Sequence, residues 1–348
     1  MKRWLLVGMI ALGLAPGTFV RTPKPPSNFT AGMDMIALDL ERRRIGAVEV
    51  SGIWQLRSEN DHFGGYSALV ALDDTTLLAG SDRGRFLRLT APGPEAGRTG
   101  RMLAMGYYAG GPQQDKHTVD LESLTRDPAS GTIWGGYEDS NTLERRDAAL
   151  GSRKAVRPEA MRGWSANSGA ESLVRLADGR FLAISEGVPD GETGHPALLF
   201  AGDPVATDGA AAGAPIEFTF TPPTGYRPVD AEQLPDGPVL VLVRRVDWGL
   251  PPRFATALVL ADPTEIEAGK AWRGQVVARF DPPLPTDNFE GLALSPEPAP
   301  GDRPILWMIS DDNGGEFQRT LLYRMEWLSI EPPARPRINP RPPAARKQ

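Results

Sequence analysis

The sequence predicts an all-β fold, a β-propeller whose visible blades number five with a sixth open, and three observations carry that prediction. A short motif recurs along the chain, each copy is followed by a turn and an apolar run of strand length, and 38 Gly and 34 Pro punctuate the 348 residues.

The motif is Glu, a small or polar residue, then Leu. It reads Asp120-Leu121-Glu122-Ser123-Leu124, Gly169-Ala170-Glu171-Ser172-Leu173, Asp230-Ala231-Glu232-Gln233-Leu234 and Asn288-Phe289-Glu290-Gly291-Leu292, with a degenerate copy at Gly65-Tyr66-Ser67-Ala68-Leu69. The runs that follow are 76–80, 132–136, 180–184, 239–243 and 305–309. Apolar runs this short fit buried strands or short buried helices equally, and the turn residues decide for strands. Ser130-Gly131, Asp178-Gly179 and Asp236-Gly237 stand where a hairpin needs positive φ.

Third strands are predicted at 86–89, 197–200, 256–260 and 320–325, and fourth strands at 217–221 and 275–280. Four antiparallel strands repeated at roughly 50 to 60 residues describe a propeller blade with long loops. The last unit runs out after three strands. The stretch 46–57, which has no partner of its own, is expected to complete that blade and close the ring, removing an open edge. A sixth blade stays possible if 33–40 belongs elsewhere. The stretches 147–163 and 203–215 read as loops, and 333–348 as a disordered Pro/Arg-rich tail.

Composition narrows the function classes. With 44 acidic against 38 basic residues and a formal charge of −6, the chain is a poor nucleic-acid ligand. The absence of cysteine excludes disulfides, thiolate zinc, iron–sulfur clusters and thiol nucleophiles. No serine-hydrolase elbow, phosphate-binding loop or dinucleotide fingerprint occurs. Residues 1–20 have the basic, apolar, small-residue layout of a signal peptide, or of a signal anchor if uncleaved, so a periplasmic or secreted protein is expected, with membrane attachment only through that segment.

The motif Glu opens the innermost strand of each unit, and a second polar set follows the adjacent strand: Ser81-Asp82-Arg83, Glu138-Asp139, Ser185-Glu186, Arg244-Arg245 and Ser310-Asp311-Asp312-Asn313. Antiparallel neighbours place the start of one strand beside the end of the next, so both sets are expected on one face. With Glu122, Glu171, Glu232 and Glu290 they would crowd carboxylates around an axial channel, which calls for a hard cation, arginine partners or raised pKa values. Oxygen donors without thiols favour Ca2+, with Mg2+ as the alternative. The competing reading is solvated turns, which Asp, Asn, Ser and Gly favour for local reasons. Arg83, Arg244, Arg245 and Arg319 are candidates to neutralise the carboxylates or receive an anion. Trp134, Trp164 and Trp307 are read as fillers between blades, and His117 as a loop histidine with an acid–base role as the alternative.

The phrases Phe63-Gly64-Gly65-Tyr66-Ser67, Ser81-Asp82-Arg83-Gly84, Trp164-Ser165-Ala166-Asn167-Ser168-Gly169-Ala170-Glu171, Asp287-Asn288-Phe289-Glu290-Gly291-Leu292, Ser310-Asp311-Asp312-Asn313 and Gln318-Arg319-Thr320-Leu321-Leu322 resemble the phytase-like family of alphaproteobacteria, described by an esterase-like activity of phytase. The resemblance covers about residues 45–328. It implies an exported propeller that hydrolyses phosphate or carboxylic esters with a metal ion, by analogy with the calcium-dependent propeller phytases. On that analogy Glu122, Glu171, Glu290, Asp311 and Asp312 hold the cation, and Glu122, Glu171, Glu290 and Asp311 are the catalytic candidates. Arg83, Arg319 and Asn167 would meet a small anionic ester. The alternative is a non-catalytic periplasmic binding or scaffold propeller with a structural cation.

Overall fold

Each recurring motif lies in the innermost strand of an antiparallel sheet, and five such sheets stand around one axis. The computed structural model describes residues 2–19, 26–93, 100–108, 119–166, 168–206, 213–249, 252–296, 302–315 and 317–328. The first blade runs Tyr66–Asp73, Thr76–Ser81, Arg85–Thr90 and Met102–Tyr107, and the second Leu121–Arg126, Ile133–Tyr137, Thr142–Arg146 and Arg153–Val156. The third runs Ala170–Arg175, Phe181–Ser185, His195–Phe200 and Ile216–Phe220, with Ala271–Trp272 added in parallel at its edge. The fourth runs Arg227–Gln233, Val239–Asp247, Arg253–Ala261 and Gln275–Phe280. The fifth holds Asn288–Leu294, Ile305–Asp311 and Thr320–Trp327. Innermost strands pack against one another in that order, and the fifth returns to the first.

Closure comes from the N-terminal side. Val48–Arg57 pairs antiparallel with Thr320–Trp327, Val48 opposite Trp327 and Leu56 opposite Thr320, so the last blade gains the strand it lacks. Asp34–Asp39 pairs on the outside of that strand, and Arg43–Ile45 joins it as well. Residues 33–40 therefore belong to the fifth blade, and the ring has five. Closure ties two segments far apart in sequence, so no blade edge faces a gap in the ring.

Hairpin geometry follows the turn chemistry. Gly131, Gly179 and Gly237 adopt φ of +73°, +88° and +110°, which a side chain would resist. Between blades the core is aliphatic and aromatic: Trp134 of the second blade meets Phe181 of the third with ring centroids 4.9 Å apart, and Tyr323 of the fifth meets Phe280 of the fourth at 6.0 Å. Burying one such Phe contributes about 1.5–3 kcal/mol. Trp134 and Trp307 are buried in separate inter-blade clusters, and Trp164 packs against that of Trp134, as inter-blade filling requires. One loop expectation is corrected. Within 147–163 lie the outer strand Arg153–Val156 and a 3-10 turn at Glu159–Met161, because Arg153 has a buried partner in Glu144.

The N-terminal helix Lys2–Phe19 exposes Trp4, Leu5, Leu6 and Leu12. No helix among the described residues is long and apolar enough to cross a membrane. The tail at 333–348 lies outside the described residues.

Candidate functional site

A β-bulge near the start of every innermost strand builds the site. The ladders skip one residue between Tyr66 and Ala68, Leu121 and Ser123, Ala170 and Ser172, Pro228 and Asp230, and Phe289 and Gly291. The skipped residues are Ser67, Glu122, Glu171, Val229 and Glu290. A bulge leaves its residue unpaired and re-aims the side chain, which is how a strand with one buried face can turn a carboxylate toward the axis.

The same registers fix a second ring. The residue just past the partner of each bulge is Asp82, Glu138, Glu186, Arg244 or Asp311. Two residues before each bulge stand Gly65, Asp120, Gly169, Arg227 and Asn288. Four blades contribute acid to these positions. The fourth contributes Val229, Arg227 and Arg244 instead.

Glu232, expected from its motif to stand level with Glu122, does not: the bulge of the fourth blade lies three residues earlier at Val229, and Glu232 pairs opposite Leu240 well down the strand. Its carboxylate instead accepts from the Leu294 N–H of the fifth blade at 3.4 Å. Asp230 beside it accepts from Leu292 N–H at 2.6 Å and Ala231 N–H at 2.8 Å, so this pair joins blades and does not enter the ring.

Electrostatics show that the ring side chains converge. Burial pushes the Glu122 carboxyl well above its ordinary range, and Glu171, Glu290, Asp120 and Glu138 add to it. Glu171 is raised by burial, then by Glu186, Glu138 and Glu290, with Arg244 pulling it back. Asp311 is raised by burial, Glu290 and Asp82. Glu290 is raised by burial against the pull of Arg244. For Arg244 burial opposes the charge, but Glu290, Glu186, Glu171 and Glu122 outweigh it and hold the guanidinium firmly protonated. Carboxylates this close cannot all ionise unaided.

Arg244 is the hub. Its Nη2 lies 3.0 Å from Glu290 Oε1 and 3.1 Å from Glu186 Oε1, while Nη1 donates to Asn288 Oδ1 at 2.6 Å. Asn288 in turn donates to Glu290 Oε1 at 2.9 Å. The sequence places Arg244 in the second polar set and among several candidate arginines; the signal that distinguishes it is its register, level with four acids. Asp120, Glu122 and Glu138 form the tightest acid group, with one carboxylate oxygen from each within 4.8 Å of the others. Asp120 was legible in the motif and passed over as a flanking residue.

The remaining predicted residues divide. Asp312 accepts from Gly65 N–H at 3.0 Å, Gly314 N–H at 3.0 Å and Thr320 Oγ1–H at 2.9 Å, holding the Gly64-Gly65 loop against the 312–314 turn. Arg83 lies 3.7 Å from Asp82 and against Gly314, at the rim of the ring. Arg319 stands apart, with Asp287 at 3.5 Å, in a cavity of about 670 Å³ shared with Arg245, Arg253 and Phe317. Asn167 and His117 lie outside the described residues. A further cavity, of about 430 Å³, opens beside Arg244 and is lined by Glu186, Gly225, Arg227, Arg245, Val246 and Trp248.

Among the described residues the donor set at Asp120, Glu122 and Glu138 is all oxygen and carboxylate-rich, which fits a hard cation such as Ca2+ or Mg2+.

Fold and site together define a five-bladed β-propeller with an acid-lined mouth. The chain belongs to the phytase-like family, described by an esterase-like activity of phytase, whose model matches residues 61–314. No curated protein matches it. Similar solved structures include the WD40 β-propeller domain of Doa1 (12% identity, 81% of this chain and 97% of that one, TM-score 0.35) and a luciferin-regenerating enzyme (13%, 88% and 94%, TM-score 0.41). The PQQ-bound aldose sugar dehydrogenase of Streptomyces coelicolor is another (15%, 86% and 100%, TM-score 0.39).

Proposed function

We propose that this propeller is an exported, cation-dependent hydrolase of small anionic phosphate or carboxylic esters. The observation that carries the reading is the convergence of the bulge glutamates Glu122, Glu171 and Glu290 and the strand-exit Glu186 on Arg244, with Glu138 beside Glu122 and with Asp311 and Asp82 beside Glu290. Such crowding opposes folding unless something compensates it, so its presence at the mouth of a ring points to a bound partner of opposite charge.

Asp120, Glu122 and Glu138 would hold the ion, with Glu171, Glu290 and Asp311 within the same field. Calcium or magnesium there would supply Lewis-acid polarisation and a water of lowered pKa. Arg244 fixes Glu290 and Glu186 and offsets part of the negative charge that would otherwise repel an anionic ester. Glu171 and Asp311, raised by burial, retain protons more readily than free carboxyls and are suited to protonate a departing oxygen. Arg83 stands at the rim, where it can orient the acyl or phosphoryl group. The basic, apolar, small-residue N-terminus supports export.

The test is a screen of phosphomonoesters, phosphodiesters and carboxylic esters with purified protein in Ca2+, in Mg2+ and in EDTA. Turnover that requires the ion and falls at least a hundredfold in Glu171→Gln, on the scale of lost acid–base catalysis, is expected. Ion-dependent stabilisation with no turnover on any ester would instead assign the ring to a scaffold propeller.

A further inference from the structure

The five-fold frame of the mouth is broken in one place, and the break has a direction. At the three ring positions the first, second, third and fifth blades supply Gly65, Ser67 and Asp82; Asp120, Glu122 and Glu138; Gly169, Glu171 and Glu186; and Asn288, Glu290 and Asp311. The fourth supplies Arg227, Val229 and Arg244. The tightest acid group sits on the second blade, which is not adjacent to the fourth. The mouth is therefore polar across its width, with a cation-attracting wall and an anion-attracting one.

The basic wall continues outward into the cavity of about 430 Å³. Arg227 enters it with a side chain 61% exposed and a single ion-pair contact among the described residues, Glu186 at 3.4 Å. Arg244 lines its floor, and its Nε–H is buried without a partner. Arg245 is held rigid by a two-pronged pair with Asp247 at 2.9 and 3.0 Å and by stacking 5.2 Å over the Tyr226 ring. Gly225 at φ +82° lets the Arg245 stem lie 3.2 Å from where a Cβ would stand. Trp248, at the edge, is 90% exposed, far more than packing alone leaves a tryptophan. Arg245 is matched by Asp247 and Arg244 by Glu186 and Glu290, so the exposed Arg227, whose one pair is the shared Glu186, is the guanidinium left to a ligand. Closed by an uncovered indole, the pocket suits a ligand that is anionic at one end and planar and apolar at the other.

We propose that this fourth-blade pocket is a binding subsite for aryl-substituted oxyanions, the phosphonate, phosphate or carboxylate group meeting the exposed Arg227 guanidinium, with Arg244 in the wall behind it, while the aromatic group lies on Trp248. The inference deepens the hydrolase reading by naming a substrate class, and it rests on that reading only for turnover, since binding needs no chemistry.

The experiment is titration of the full-length protein in Ca2+ with phenylphosphonate, which cannot be hydrolysed, followed by calorimetry and by tryptophan fluorescence. Saturable binding with quenching is expected, weakened about tenfold or more in Arg227→Gln, as loss of a charge-assisted hydrogen bond requires. Trp248→Ala should weaken phenylphosphonate about three- to tenfold, as loss of ring stacking implies, and leave the weaker binding of methylphosphonate unmoved. Both residues are solvent-exposed, so the variants should fold, and Phe317→Ala in the neighbouring cavity serves as the unchanged control. Equal affinity of phenyl- and methylphosphonate, or indifference to Arg227→Gln, overturns the proposal. Binding with these dependences but no ester turnover keeps the subsite and sinks the hydrolase. Turnover untouched by either variant, with no phenylphosphonate binding, does the reverse.

Discussion

Arg244 of the fourth blade and Glu290 of the fifth meet at 3.0 Å, the guanidinium standing at the strand-exit position and the carboxylate on a β-bulge. The contact joins the basic blade to the acidic ring and sets the charge balance of the whole mouth. Its removal is the sharpest perturbation available.

Arg244→Met keeps the apolar stem and deletes the charge, leaving Glu186 and Glu290 without their shared partner. Breaking a buried pair from one side costs about 3–5 kcal/mol. Thermal melts should show that loss in EDTA and a smaller one in millimolar Ca2+, because a second cation can take over part of the compensation. An equal loss in both conditions would separate Arg244 from the ion site.

Gly65 combines φ of +70° with a Cβ position only 2.2 Å from Asp82 Oδ1. Gly65→Ala therefore meets both backbone strain and a carboxylate, and should lower stability by about 1–3 kcal/mol on the strain alone. The displaced group is Asp82, so the ion requirement should change together with the stability. Chemical denaturation alongside Ca2+ titration checks both, and a variant as stable as the parent would contradict the contact.

Asp230 is fully buried between the fourth and fifth blades with two backbone N–H donors and, among the described residues, no countercharge, and burial raises its carboxyl well above the usual range. A raised native pKa means that the folded chain holds the proton more tightly than the unfolded one. The stability from this group is full below the unfolded carboxyl range, near pH 4, and is lost as pH rises through the raised native value. Asp230→Asn should be the less stable protein at low pH, by about 1 kcal/mol for a weakened N–H contact, and should close that gap or reverse it as pH rises. Urea midpoints of both proteins across the pH range measure it, and a constant gap would refute the assignment.

Much of the fold was legible because propeller blades advertise themselves locally. Asp178-Gly179 and Asp236-Gly237 mark hairpins by backbone necessity, and the strands at 239–243 and 305–309 are apolar enough to name directly. The ring closure by 48–57 followed from a blade short of one strand. What sequence could not give was register. A bulge shifts every later residue by one, and period-2 reasoning cannot locate it, so Asp230-Ala231-Glu232 passed for a ring motif while Val229 held the position. The exit positions were visible as a set with Arg244-Arg245 as its fourth member, but without register the contacts of Arg244 with Glu186 and Glu290 could not be read. Outer strands such as Arg153–Val156, exposed and charged, carry no apolar pattern and were read as loop.

The acidic ring is expected to take a hard cation. Calorimetric titration of Ca2+ into EDTA-stripped, full-length protein, beside Glu122→Gln, tests it most directly. Saturable binding by the parent is expected, with a stability gain of about 2.7 kcal/mol at a hundredfold excess over Kd, and loss of both in Glu122→Gln. A parent protein that binds neither Ca2+ nor Mg2+, and melts at the same temperature with and without them, would contradict it.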